Sequence, residues 1–272
     1  MLYDIRSIGE CMKFSVLGSS SGGNATYLEH NGKKYLIDCG FGIRYILSRM
    51  NDLNIKADHL DGIFISHEHS DHIAGLSSVS NHFNSPIFMS KKTYKGLRFE
   101  EKEKISPILL SFFNSGEEFT TDSLKVFPFP VSHDASDPVG FKFTDENEKT
   151  LVYLTDTGCF ISYDKISNAD AYIIESNHEP EMLLLSKRPW VLKNRILSDS
   201  GHLSNDDSAK TFGSLMGDKT KLAVLFHLSN ECNTKELATL AYENYFHKFP
   251  EKGKNVTLKV SSKNHPTEIF EV

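Results

Sequence analysis

The sequence predicts one α/β domain over residues 1–272, in which strands of a buried sheet alternate with helices. Three observations support this prediction. The chain of 272 residues fits one large α/β sandwich, and no repeat, linker or low-complexity tract divides it. Hydrophobic residues make up 39% of the chain, and its 19 Phe and 10 Tyr can fill a sizeable core. Short apolar runs, which are typical of buried strands, end in His or Asp at several places.

Charge and composition limit the function classes. The net charge of −6 argues weakly against nucleic-acid binding, although metals and a local basic face can bind DNA in an acidic protein. No apolar run approaches membrane-spanning length, and the N-terminus has no secretory hydrophobic region. The four cysteines are scattered and form no C-x-x-C pair, which fits a reducing compartment. We therefore expect a cytoplasmic protein without a membrane partner.

The first elements are predicted to be a strand and a hairpin. Residues 1–11 are expected to be a loose N-terminal extension, and the first strand begins at Lys13. Asn31-Gly32 between two apolar runs is a strong hairpin signal. Between them lies a Ser/Gly stretch, whose hydroxyls and backbone N–H groups could bind a substrate phosphate. Its candidate residues are Ser19, Ser20, Ser21 and Asn24, and a flexible connection is the alternative.

The stretch after Ile65 holds the densest group of ligand-type side chains. The apolar run Gly62 to Ile65 predicts a buried strand, and helical spacing resumes at Ile73. The turn between them contains His67, Glu68, His69, Asp71 and His72. Imidazole and carboxylate groups are ligands for Zn, Mn or Fe. A polar loop that merely caps the helix is the alternative, but a cap needs one Asp and no His.

The rest of the chain alternates between the two element types. Strands are predicted at 86–89, 105–113, 117–132, 171–175, 222–227 and 256–261, and a hairpin at 139–155. Helices are predicted at 41–50, 73–83, 91–97, 179–197 with an interruption at Pro189, from Ser204 onward, and at 234–248. Three of the strand-like runs end at His133, Asp156 and His227.

The motif H-x-H-x-D-H after a hydrophobic strand resembles the signature of the metallo-β-lactamase fold, and the downstream His and Asp positions follow in that family's order. The stretches SSSGGN, LIDCG, ESNH, GHLSN and HLSNECN are similar to those of its WalJ/YycJ-type branch. The resemblance covers nearly the whole chain. It implies a four-layer αβ/βα sandwich with a metal centre at one rim. It also implies a 5′→3′ exonuclease that acts on double-stranded DNA in repair, with DNA 5′ ends and repair proteins as partners.

The resemblance implies two divalent ions, Mn²⁺ or Zn²⁺, with Fe²⁺ as a further option. The implied ligands are His67, His69 and His133 for one ion, and Asp71, His72 and His227 for the other, with Asp156 bridging both. Asp38 is expected behind the site, where it would bond a ligating His and fix its tautomer. Lactamases of this fold place a Cys where Asp156 stands, so β-lactam hydrolysis is not expected. An Asp bridge suits hard ions and a phosphoryl substrate.

Two metals about 3.5–4 Å apart can hold a bridging hydroxide and bind a phosphate oxygen. Asp71 therefore counts among the catalytic residues as well as the ligands. Glu175 with the later His202 resembles a pair in tRNA-processing members of the superfamily. Glu175 would orient His202 and raise its pKa, so that His202 protonates the departing oxygen. A loop histidine without a catalytic role is the alternative. His178 is a second candidate, for binding substrate phosphate, and a surface histidine is its alternative.

Two basic clusters could follow the phosphates of a duplex. One contains Lys187, Arg188, Lys193 and Arg195 on a stretch with Trp190, and the other contains Lys91, Lys92, Lys95 and Arg98. A solvated helix face explains either cluster equally well. If they bind phosphates, affinity should fall steeply with salt.

Other function classes compete with the exonuclease. They are a small-molecule hydrolase, such as a cyclic phosphodiesterase or a glyoxalase-type thioesterase, an RNA-processing nuclease, and a non-catalytic binding protein. The interval from Asp156 to His227 is too short for the large inserted domain of the RNase J and Artemis-like nucleases. A glyoxalase-type enzyme usually adds a helical domain after the core, whereas here one helix and one strand follow His227. The family-specific stretches then favour the exonuclease.

Overall fold

The computed structural model describes residues 11–159 and 164–272. The predicted N-terminal extension thus lies outside the described residues, except for Cys11, which is exposed. No helix in the described ranges is long and apolar enough to cross a bilayer.

The first half of the chain builds one sheet and its helices. Its elements are β1 (Lys13–Ser20), β2 (Gly23–His30), β3 (Lys33–Ile37), α1 (Ile43–Asp52), β4 (Gly62–Phe64), α2 (Ser70–Ile73), α3 (Leu76–Phe83), β5 (Ile87–Ser90), α4 (Lys91–Gly96), α5 (Phe99–Lys102) and β6 (Leu110–Phe113). The second half begins with β7 (Phe119–Thr120), β8 (Lys125–Pro130), β9 (Val139–Thr144), β10 (Thr150–Leu154), β11 (Ala171–Glu175), α6 (Pro180–Leu185), α7 (Trp190–Ile196) and α8 (Asn205–Leu215). It ends with β12 (Leu222–Phe226), α9 (Lys235–Lys248), α10 (Pro250–Gly253), β13 (Thr257–Val260) and β14 (Phe270–Glu271).

The strands form two seven-stranded sheets with similar layouts. The order is β14-β1-β2-β3-β4-β5-β6 in one and β13-β12-β11-β10-β9-β8-β7 in the other. Each sheet has an antiparallel part next to a parallel part, β3 to β6 in the first sheet and β10 to β13 in the second. Parallel strands present their carboxyl ends at one edge, and ligand sites collect there in α/β sheets.

Aromatic side chains fill the space between the two sheets. Phe64 of β4 lies 5.2 Å from Phe143 and 5.7 Å from Phe141, both on β9, measured between ring centroids. A second apolar cluster joins the first sheet to α1 and α3, and a third joins the other sheet to α8 and α9. Helices thus cover both outer faces of the paired sheets. The predicted four-layer αβ/βα sandwich is confirmed.

Some predicted boundaries were wrong. Strand 105–113 is a strand only from Leu110, because Pro107 begins a short 3₁₀ turn. Strand 117–132 is divided into β7 and β8. The helix predicted at 73–83 consists of α2 and α3, and α2 already contains Asp71. The Ser/Gly stretch is the tight hairpin between β1 and β2, so neither an open phosphate loop nor a flexible connection is present.

Candidate metal centre

The site lies where strand ends of both sheets meet. The turn after β4 supplies three histidines and Asp71, and the segment after β8 supplies His133. Asp156 and His227 follow β10 and β12, and Glu175 is the last residue of β11. The topology therefore brings together residues that lie far apart in the chain.

Three of the residues that follow strands have left-handed backbone conformations. The φ angles are 59° at Asp38, 50° at Asp156 and 58° at His227. Residues other than glycine adopt this region rarely, and such residues cluster at functional sites. Each one turns the chain sharply at its strand end and directs its own side chain into the site. Nothing in the apolar pattern of the sequence indicated these turns.

The first group of possible ligands consists of His67, His69 and His133, which offer ligand atoms within 4.8 Å of one another. The Nδ1 atom of His133 donates a hydrogen bond to the Gly201 carbonyl at 3.0 Å, which leaves Nε2 as its ligand atom. This Nε2 lies 3.1 Å from Nδ1 of His69. Nε2 of His67 is buried and has no hydrogen-bond partner among the described residues. Burial lowers the pKa of His67 and His133, so both rings are in the neutral form that metals bind.

The second group consists of Asp71, His72 and His227. Oδ2 of Asp71 lies 3.2 Å from Nε2 of His227 and 3.4 Å from Nε2 of His72. Burial lowers the pKa of both histidines, but Asp156 and the other nearby carboxylates outweigh it. They hold the pKa of His72 well above its usual value and raise that of His227 to about 10. The same negative charge would stabilise a bound cation.

Asp38 lies behind the second group and contacts one of its histidines. It is fully buried, and its Oδ2 accepts a hydrogen bond from Nδ1 of His72 at 2.7 Å. Its carboxylate also accepts bonds from the Ser66 N–H and the Tyr153 hydroxyl. Because Nδ1 of His72 is engaged, Nε2 is directed at Asp71 and Asp156. Such contacts orient a metal-binding imidazole and fix its tautomer.

Asp156 lies between the two groups. Its Oδ1 is 3.6 Å from Nε2 of His133, and its Oδ2 is 3.2 Å from Nε2 of His72. Burial alone would raise its pKa, but His227 and His72 hold it well below its usual value. One carboxylate oxygen thus faces each group. The donor set, the engaged Nδ1 atoms and the unpartnered Nε2 of His67 fit two divalent cations that share Asp156.

Part of each ligand group lines a cavity of about 140 Å³. Its walls include His69, Asp71, His133, Asp156, His202 and His227, together with Ser21, Asn177, Arg188, Leu192, Arg195, Ile196 and Ser229. The two guanidinium groups among the imidazoles and carboxylates suit an anionic substrate.

Comparisons with known proteins agree with this geometry. Residues 33–228 match the Beta-lactamase superfamily domain. Over 237 residues the chain is 39% identical to Exodeoxyribonuclease WalJ of Streptococcus pneumoniae serotype 2, which spans 85% of this chain and 87% of that protein. It is 37% identical to Exodeoxyribonuclease YycJ of Bacillus anthracis, with the same coverage. The chain belongs to the WalJ/YycJ family of the beta-lactamase superfamily.

A solved structure supports the fold independently of sequence. The metallo-beta-lactamase fold protein YhfI from Bacillus subtilis matches with a TM-score of 0.70, over 95% of this chain and 100% of that one. The identity of 17% shows a shared fold and nothing finer. Membership of the WalJ/YycJ family confirms the predicted resemblance. The chain is a metal-dependent hydrolase.

Glu175 and His202 are in contact in this family member. Nδ1 of His202 donates to Oε1 of Glu175 at 2.7 Å, and the buried Glu175 also accepts from the Thr157 N–H at 3.0 Å. The other donor to Oε1 is Nδ1 of His227. Burial would raise the pKa of Glu175, but its histidine neighbours hold it at about 2, so the carboxylate is charged. Nε2 of His202 is the ring nitrogen left for a substrate in the cavity.

Most of the side chains that were predicted to bind substrate phosphate are buried outside the cavity. Ser19 donates to Oδ1 of Asn24 and accepts from the His227 N–H at 2.7 Å, while Asn24 donates to Oδ2 of Asp71. Ser20 accepts from the Gly22 N–H. Ser19, Ser20 and Asn24 are at most 3% exposed, so the prediction that they bind substrate phosphate was wrong. Ser19 and Asn24 support candidate ligands instead, and only Ser21 of this stretch lines the cavity.

His178 differs from both interpretations of the sequence. It is 1% exposed and does not line the cavity, so it is neither a phosphate contact nor a surface histidine. Within the part of the chain that the structure describes, neither ring nitrogen has a hydrogen-bond partner, and burial lowers the pKa of His178 to about 4. The apolar residues that predict the preceding strand end before His178, so the sequence pattern did not indicate that this side chain is buried.

The first basic cluster divides into two kinds of side chain. Arg188 and Arg195 line the cavity, and Lys187 is exposed. Lys193 is 6% exposed, its Nζ donates to the carbonyls of Leu184 and Ser186, and it cannot reach a duplex. Lys193 was therefore wrongly predicted as a phosphate contact.

The second basic cluster is exposed on α4 and the start of α5, away from the cavity walls. Lys91, Lys92, Lys95 and Arg98 are all exposed, and two of them are paired with acids. Arg98 bonds to Glu101, and Lys92 lies 3.6 Å from Asp137. A solvated helix face accounts for this cluster.

Two polar residues of the cavity wall were missed from the sequence. Asn177 and Ser229 lie in the family stretches ESNH and HLSNECN, next to residues that were identified. Their polar type and position after strands were the available signal.

Proposed function

We propose that the protein is a two-metal phosphodiesterase that removes nucleotides from the 5′ ends of double-stranded DNA. The observation that carries the proposal is the pair of ligand groups with Asp156 between them, in a cavity that also holds two arginines. The sequence identity to two exodeoxyribonucleases supports DNA as the substrate. The all-His/Asp donor set favours Mn²⁺ or Zn²⁺, with Fe²⁺ as a further option.

Each ligand group would hold one cation. His67, His69 and His133 would hold the first and Asp71, His72 and His227 the second, with Asp156 shared between them. Bound cations would supply Lewis-acid activation of the attacking water and charge neutralisation at the scissile phosphate.

His202 would protonate the departing 3′ oxygen. Its Nδ1 is held by Glu175, so the proton would leave from Nε2 on the cavity side. The ring lies between the two ligand groups, 5.1 Å from the ring of His133 and 5.3 Å from that of His227. A donor in this position would be near a leaving group on a phosphate bound at the ligand groups.

Arg188 and Arg195 would bind phosphates of the strand that is cut. Their guanidinium forks match phosphate geometry, and both lie on the cavity wall. Lys187 would add charge at the exposed mouth. We further propose a role in DNA repair together with repair proteins, and action in the cytoplasm. The cysteines in the described residues are all free, which supports a reducing compartment.

One assay tests the substrate class. Purified protein with Mn²⁺ is incubated with 5′- and 3′-labelled blunt duplex, single-stranded DNA, RNA, a cyclic nucleotide and a thioester. We expect mononucleotides to be released stepwise from 5′ ends of the duplex, and the Asp71→Asn variant is the matched inactive control. Cleavage of the cyclic nucleotide or thioester with sparing of the duplex would refute the nuclease function. Preferential cleavage of RNA would replace DNA by RNA as the substrate.

A further inference from the structure

One corner of the cavity is cationic because the Arg188 side chain lines it, and the metal-binding residues do not explain this charge. Nη2 of Arg188 donates to Oγ of Ser229 at 3.4 Å, and the Ser229 N–H donates to the Asn177 carbonyl at 2.8 Å. Nδ2 of Asn177 donates to the carbonyl of His227 at 3.0 Å. A chain of hydrogen bonds therefore connects Arg188 to the backbone of His227, a candidate ligand. This connection fixes the position of Arg188 relative to the metal centre.

The two cavity arginines differ in their surroundings. The Arg188 side chain is 19% exposed, whereas that of Arg195 is 44% exposed. Arg195 pairs with Asp134 through both Nε and Nη2 beside His133, at an open part of the rim. A DNA strand that continues beyond the site needs an exposed path, and a strand that ends there fits the more enclosed side chain. The exposure of the two side chains thus favours opposite roles for them.

Resting on the proposed nuclease function, we infer that Arg188 and Ser229 form a subsite for the 5′-terminal phosphate of the strand that is cut. A terminal phosphomonoester carries about −1.5 to −2 charges at neutral pH, more than the single charge of a backbone diester. A guanidinium can bind its oxygens in two parallel charge-assisted hydrogen bonds. Arg195 would contact the strand that continues on the other side of the cleaved bond.

Glu231 controls access to this subsite. Nε of Arg188 donates to Oε2 of Glu231 at 2.9 Å, and the Glu231 side chain is 67% exposed. An ion pair with such an exposed partner stabilises little, because water solvates the carboxylate. A dianionic phosphate can therefore displace Glu231 from Arg188.

The test compares blunt duplexes that carry either a 5′-phosphate or a 5′-hydroxyl. Binding is measured with Mn²⁺ on duplexes whose 5′-terminal linkages are non-hydrolysable phosphonates, by the fluorescence of Trp190, the only tryptophan of the chain and two positions from Arg188. Cleavage is measured as kcat/KM with Mn²⁺. We expect wild-type protein to favour the phosphorylated end by about tenfold or more in both measurements, as for a bidentate charge-assisted contact.

Variants separate the subsite from general charge effects. Arg188→Gln should lose the preference, and Arg44→Gln, which removes an exposed arginine on α1 outside the cavity, should keep it. Glu231→Gln should bind phosphorylated ends more tightly, because no carboxylate competes for the guanidinium. Glu231→Gln keeps the inference testable if Arg188→Gln folds poorly.

Results that refute the phosphate subsite differ from results that refute the proposed nuclease function. Equal use of the two ends by wild-type protein, a preference that survives Arg188→Gln, or an unchanged affinity in Glu231→Gln would each overturn the subsite while leaving the exonuclease in place. A lack of cleavage of any duplex would refute the exonuclease and the subsite together.

Discussion

Replacing His202 by Ala tests the proton donor most directly. The side chain is 12% exposed, its Nδ1 is bound to Glu175 at 2.7 Å, and only Nε2 is left for the substrate. Loss of a general acid typically lowers the rate by about 10²- to 10⁴-fold, which corresponds to about 3 to 5 kcal/mol in activation free energy. We expect kcat on duplex DNA to fall by this amount. The departing 3′ oxygen is a poor leaving group that needs a proton.

A second substrate separates acid catalysis from a general loss of the site. Bis(p-nitrophenyl) phosphate releases a phenolate that is stable without a proton, so His202→Ala should slow its hydrolysis by less than about tenfold. Metal content should stay the same as in wild-type protein. Adding Glu175→Gln to His202→Ala should cost less than the two single effects combined, because residues that act as a unit are not additive. An equal fall in kcat on both substrates would refute the assignment of His202 as the proton donor. The loss of one ion per chain would instead show that His202 is a metal ligand.

Three further predictions concern the ions, pH and packing. Metal analysis should find two divalent ions per chain, and one ion in fully active protein would contradict this. Asp71→Asn should lose one ion and all detectable turnover. Its Tm should change little, because Asp71 lies at the rim of the fold. Because His178 has a pKa of about 4 in the fold, the unfolded chain alone takes up its proton as the pH falls from 6.5 toward 4. The free energy of unfolding of wild-type protein should therefore fall by about 3 kcal/mol more between pH 7 and pH 4 than that of His178→Phe. Urea denaturation at each pH measures this, and an equal fall in the two proteins would contradict the prediction. In Gly40→Ala the added Cβ would lie 1.9 Å from the Asp71 carbonyl oxygen, so the variant should bind metal more weakly, whereas in Gly42→Ala the nearest contact, Ser78 Oγ at 3.8 Å, leaves metal binding unchanged.

Local pattern was sufficient for most of the elements and for the candidate ligands. The period of apolar residues reports which face of an element is buried, so the strand before His67 and the helices on either side could be predicted. The dense group from His67 to His72 lies within one turn, and spacing along the chain decides its geometry. The resemblance to the metallo-β-lactamase fold then indicated His133, Asp156 and His227, whose separation in sequence is too large for spacing to decide.

Boundaries and burial of polar residues depended on the tertiary structure. The Ser/Gly stretch has the composition of a loop, yet Ser19 and Asn24 are strand residues whose side chains bond to the backbone of His227 and the carboxylate of Asp71. Lys193 looked like a surface cation, but carbonyls at the end of α6 accept its protons. A sequence states which groups can donate and accept hydrogen bonds, and the fold decides which partners they meet.

The order of residues was enough to predict the alternation of strands and helices, the ligand types and the membership of the WalJ/YycJ family. The packed fold was needed to see that Asp156 directs one oxygen toward each ligand group and that Glu175 holds both His202 and His227. It was also needed to see that Arg188 is the more enclosed of the two cavity arginines. Secondary structure follows from interactions over a few residues, whereas a site at the ends of strands from two sheets depends on distances of a few ångströms between segments that only the packed core brings together.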